Sequence, residues 1–123
     1  MILSAKYNSK QIGVLKYSLE LVDRFFEIAN QILISFDRGE ILDAEARQKL
    51  QVFKETCQED KETLIKAFKD SSDLVVTYVK IFQSEVISNL SSAIISKNLS
   101  SDLKYLIAST LNSFETLQKN IKK

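Results

Sequence analysis

The 123-residue chain has no histidine, no proline and no tryptophan, and it has one cysteine and two glycines. Each absence excludes something. Without histidine the chain lacks the commonest general base and the commonest transition-metal ligand. Its own residues cannot build a Ser–His–Asp or Cys–His arrangement. Nor can they supply the Glu-x-x-His pattern of di-iron and di-manganese bundles. A single cysteine, Cys57, forms no internal disulfide, which points to a reducing compartment, the cytoplasm. Gly13 and Gly39 lie too far apart for a phosphate-cradling loop. Charge of one sign is lacking too. The net charge of +1 gives no global field toward nucleic acid or anionic lipid. The opening residues, MILSAKYNSK, show no signal-peptide pattern.

A chain almost free of helix breakers can run long helices, whereas a β-sandwich needs many turn residues. Apolar residues at 45% and charged residues at 27% are ordinary for a globular domain. The length fits one domain able to bury a core without disulfides or metal. Abundant Lys, Ile, Ser and Asn beside little Gly, Ala and Pro suggests an AT-rich coding source; a bacterial or phage origin is expected. The most apolar stretch, LVVTYVKIFQSEVISNLSSAII, is interrupted by Lys80, Gln83, Glu85 and Asn89, so no membrane span is expected.

Apolar spacing in alternating steps of three and four predicts four helices. The first runs from about Ser9 to Asp37, with a stripe of Ile12, Leu15, Leu19, Val22, Phe26, Ala29, Leu33 and Phe36, widened by Phe25 and Ile32. Gly39 suits the left-handed residue that ends it, and Asp43 is a candidate cap for the next. The second helix runs from about Asp43 to Lys69 on a seam of Ala46, Leu50, Phe53, Cys57, Asp60, Leu64 and Phe68. Ser71 or Ser72 is the expected cap of the third, from about Asp73 to Ser96. Its inner face is Val75, Val76, Val79, Phe82, Val86, Leu90 and Ile94, and Ile81, Ile87 and Ile95 spill around the side. So wide an apolar circumference implies burial on more than one side. Ser100 or Ser101 should cap the fourth helix, about Ser101 to Lys119, with Leu103, Leu106, Ile107, Leu111, Phe114 and Leu117 inward.

Short connections favour antiparallel neighbours. The expected fold is therefore all-α: an antiparallel, up-down-up-down four-helix bundle over residues 9–123, preceded by a flexible segment at 1–8. A helix-exchanged dimer, opened at KDSSD, is the competing topology.

The chemistry-bearing candidates reduce to ordinary structure. Cys57 falls on the apolar seam, where a thiol is a small hydrophobe. The acids of EDKE, Glu59 to Glu62, point in different directions around a helix and cannot converge on a cation. Exposed pairs at four-residue spacing, Glu20–Arg24, Glu45–Lys49 and Glu62–Lys66, should decorate the surface. The four tyrosines are not interleaved with a basic patch, and the basic end (Lys119, Lys122, Lys123) complements a helix dipole, so nucleic-acid binding is not expected. No catalytic, cofactor or metal residue is assigned. Function is left to the surface, with Ile81, Ser84, Ile87, Ser88 and Ile95 of the third helix as interface candidates. The expectation is a non-catalytic interaction module that meets a protein partner or itself as a homodimer. The alternative is a small stoichiometric inhibitor or immunity-type protein that blocks another macromolecule.

Overall fold

A computed structural model describes residues 7–69 and 72–121. The expected cap Ser71, the basic residues Lys122 and Lys123, and most of the expected flexible segment lie outside the described residues. Four helices follow one another: α1 (Ser9–Asp37), α2 (Asp43–Ala67), α3 (Leu74–Ile94) and α4 (Leu99–Ile121). They pack on one another as an all-α four-helix bundle.

Polar contacts between helix ends give the directions. Tyr7, just before α1, donates from its hydroxyl to the Ile121 carbonyl at the end of α4 (2.7 Å). Arg47 near the start of α2 donates to the Ile94 carbonyl at the end of α3 (2.7 Å). Gln11 at the start of α1 donates to Asp73 at the start of α3 (2.8 Å). Hence α1 and α3 run one way and α2 and α4 the other, the expected up-down-up-down order. The fold takes in Tyr7 and Asn8, two residues ahead of the boundary drawn from the sequence.

The sequence names a cap for α2, α3 and α4, and in all three the helix starts on a different residue. Asn8 accepts from the Gln11 backbone N–H (2.8 Å) while the Gln11 side chain accepts from the Asn8 N–H (3.0 Å), a reciprocal capping box. Leu42, not Asp43, occupies the cap position of α2 and offers no side-chain bond. Asp43 instead lies in the first turn and holds Arg47 at 2.6 Å. Asp73 caps α3 by accepting from the backbone N–H groups of Val75 and Val76 (2.8 and 3.4 Å). A carboxylate accepts two orphan amides there and also meets the helix dipole favourably, advantages a neighbouring serine lacks. Asn98 accepts from the Ser101 N–H (3.3 Å) and starts α4 two to three residues ahead of the expected serines. At the end of α1, Gly39 has φ of 73° and the Glu40 N–H reaches back to the Ser35 carbonyl (2.9 Å), the left-handed stop anticipated for this glycine.

The core seams are rotated slightly from an apolar-only reading. On α1 the buried line is Leu15, Ser18, Val22, Phe25, Ala29 and Ile32, while Leu19, Phe26, Leu33 and Phe36 are half-buried at its edge. On α2 the expected seam holds from Ala46 to Leu64, with Asp60 and Phe68 half-buried. On α3 the line is Val76, Val79, Gln83, Val86, Leu90 and Ala93, flanked by buried Val75 and Phe82. On α4 it is Leu99, Leu103, Leu106, Thr110, Leu117 and Ile121, and Leu111, expected inward, is exposed. In α1, α3 and α4 a polar residue stands in register on the seam.

Helix α3 is central. It packs extensively against α2 and α4 and also meets α1, whereas α1 and α2 touch each other more sparsely. This accounts for the burial of Val75, Phe82 and Ile87 around its circumference, while Ile81 and Ile95 stay exposed. Phe82 of α3 packs on Phe114 of α4 with ring centroids 5.5 Å apart, and Phe25 of α1 meets Phe53 of α2 at 6.4 Å.

Candidate interaction surface

A chain of polar groups, anchored on one buried residue, crosses three helices. Gln83 is fully buried on α3, and its Nε2 donates to the Tyr17 hydroxyl of α1 (2.6 Å). That hydroxyl in turn donates, at a long 3.4 Å, to Asp60 of α2. So Asp60, a misfit at a seam position in the sequence, is met by a neighbouring helix. Burial, reinforced by the charge of Asp60, raises the pKa of the Tyr17 phenol. The Gln83 Oε1 has no hydrogen-bond partner. Reading Gln83 merely as an interruption misses it; its spacing from Val79, Val86 and Leu90 is the signal that places it inside. One helical turn from Asp60 lies Cys57, buried, with its thiol pushed up to about 12 by burial first and by Asp60 second, against an opposing effect of Arg24. A thiol held protonated in this way is a poor nucleophile and a poor metal ligand at neutral pH.

The sparse α1–α2 seam leaves two shallow hollows. One of about 270 Å³ is lined by Ile28, Gln31, Ile32, Ser35, Ile41 and Lys49. The other, about 210 Å³, lies beside Tyr17 and Asp60 against Leu64, Ala67 and Phe68. Each is smaller than the usual ligand pocket. Among the described residues no three His, Cys, Asp or Glu side chains come together as a metal site. None of the three expected surface pairs closes to ion-pair distance there. The four-residue pair that forms is Asp43–Arg47 at 2.6 Å, whose arginine is also tethered to Ile94. Untethered long side chains lose too much freedom to hold an exposed pair.

The outward face of α3 is different in kind. Leu74, Ile81, Ser88 and Ile95 follow one another at seven-residue steps and are all exposed. The three apolar residues among them are 65%, 50% and 82% accessible. A hollow of about 390 Å³ runs over Thr77, Lys80, Ile81, Ser84, Glu85 and Ser88. The structure thus brings Ile81, Ser84 and Ser88 together and carries the line on to Ile95 just past the helix end. Ile87, the remaining candidate, is half-buried and packs on the core from the flank. Leu74 was missed by the sequence reading because it begins the helix, where no preceding turn reveals its periodicity.

No helix among the described residues is long and apolar enough to cross a membrane. Set against known proteins, the chain matches no family model, no curated protein and no solved structure.

Proposed function

We propose that the protein is a non-catalytic helical interaction module that associates with a second copy of itself through the outward face of α3, in the cytoplasm. The observation that supports this reading is the exposure of Ile81 and Ile95, seven residues either side of exposed Ser88. Apolar side chains spaced this way along one helix face are what a partner helix buries. Serines at 84, 88 and 92 keep the ground between them low, so a second backbone can approach. The core does not need these side chains, because α3 already packs on α2, α4 and α1 through its other faces.

The test is substitution on that face alone. Ile81→Asp and Ile95→Asp should leave the helical circular dichroism signal and melt intact and should lower the apparent mass in size-exclusion chromatography. An unchanged elution volume in both variants would contradict self-association through this face. An elution volume already that of a monomer for the parent protein would favour the inhibitor reading.

A further inference from the structure

Resting on the reading of α3 as a self-association surface, we propose that two copies pair with their α3 helices parallel, Lys80 of each chain forming an ion pair with Glu85 of the partner subunit. The pattern on the helix carries the orientation. Leu74, Ile81, Ser88 and Ile95 repeat every seven residues, and Thr77, Ser84 and Ser91 follow three residues after the first three of them. These are the two inward positions of a heptad. Lys80 then stands on one flank of the seam and Glu85 on the other, and both border the same hollow. In a parallel pair the residue on the first flank meets the partner residue five positions further on, on the opposite flank. Five positions beyond Lys80 is Glu85, so two-fold symmetry makes the pair twice. In an antiparallel pair each flank of the seam faces the same flank of the partner, so the Lys80 side would meet the partner's Lys80 side and the Glu85 side the partner's Glu85 side, with no charge matched.

Three further observations fit. Neither Lys80 nor Glu85 has an ion-pair partner within its own chain among the described residues. The Lys80 ammonium is held on its flank by the Phe68 carbonyl (3.3 Å), beside the seam and not across it. The hydroxyls of Thr77 and Ser91 donate to the carbonyls of Asp73 and Ile87 in their own helix (3.0 and 2.9 Å), so covering them strands no donor. Of the seven layers only Leu74, Ile81 and Ile95 are apolar, and Thr77, Ser84, Ser88 and Ser91 bring hydroxyls, so the pair is reversible and weaker than a zipper of the same length.

Charge exchange tests the orientation. Lys80→Glu and Glu85→Lys should each weaken self-association roughly tenfold, since each replaces two attractions with two repulsions. An equimolar mixture should recover a heterodimer of wild-type affinity, because each substituted side chain then faces the opposite charge on its partner. Sedimentation reads both. Independently, mild oxidation of Ile81→Cys should give a covalent dimer of the single variant, since parallel helices put the two positions side by side. That readout decides if Lys80→Glu folds poorly without its bond to Phe68. A wild-type dimer whose charge variants do not complement, or whose Ile81→Cys cross-links only when Ile95→Cys is also present, overturns the parallel arrangement and leaves the face itself standing. A wild-type monomer overturns both.

Discussion

The Gln83 amide and the Tyr17 hydroxyl, 2.6 Å apart, join α3 to α1 inside the core. The amide has no other partner: its oxygen is buried and unpaired. Tyr17→Phe therefore strips Gln83 of its one bond and should destabilise the fold by about 1–3 kcal/mol, the cost of stranding a buried polar group. Adding Gln83→Leu removes the stranded group and should restore most of the loss. Urea titrations of the two single variants and the double variant measure the coupling; additive losses would contradict the pairing.

The two glycines should respond in opposite directions. A β-carbon at Gly13 meets nothing within 4 Å, and the position lies inside α1. Gly13→Ala should stabilise by about 0.5–1 kcal/mol. Gly39 holds φ of 73°, so Gly39→Ala should destabilise by about 1 kcal/mol. Thermal melts with shifts of the same sign would refute this.

Alkaline pH should loosen the fold through Cys57. Its thiol titrates near 9 when unfolded and is pushed up to about 12 when folded, so between those values the native state holds a proton the unfolded state has lost. Stability is then complete below about pH 9 and falls as pH rises, by up to about 1.4 kcal/mol per unit for one group. The Tyr17 phenol, also raised, acts in the same direction. Cys57→Ala should flatten the pH dependence of the melting temperature between about 9 and 11. The native thiol should also resist thiol reagents until denaturant is added; rapid labelling would contradict its burial.

Burial separates two substitutions that the stripes alone make equivalent. Phe82 is 1% accessible at the centre of the bundle, so Phe82→Asp should abolish the cooperative melt. Leu19 sits half-buried at the edge of the α1 seam, so Leu19→Asp should lower the melting temperature and leave a folded protein. Equal loss in both would place Leu19 deeper than the structure does.

The four helices and their directions were legible because apolar spacing repeats over some twenty residues or more per element and only short connections intervene. The caps were less legible, since Ser72 beside Asp73, or Ser100 and Ser101 beside Asn98, offer several acceptors within one turn, and tertiary fit chooses among them. The seams of α1, α3 and α4 drifted because Ser18, Gln83 and Thr110 are buried, and a stripe drawn through apolar residues alone steps around them. Ser18 is tolerated by donating to the Leu15 carbonyl (2.7 Å), and Thr110 by accepting from Asn89 (2.7 Å). Of the surface, Ile81 and Ile95 stood out as surplus to one core, whereas Ile87 could not be told from them until α3 was seen to pack on three neighbours.

Sedimentation equilibrium of the unmodified chain over a wide concentration range tests self-association most directly. The expected result is a mass that rises with concentration from the 14.0 kDa of one chain toward twice that value, and no further. A mass fixed at one chain throughout would contradict it.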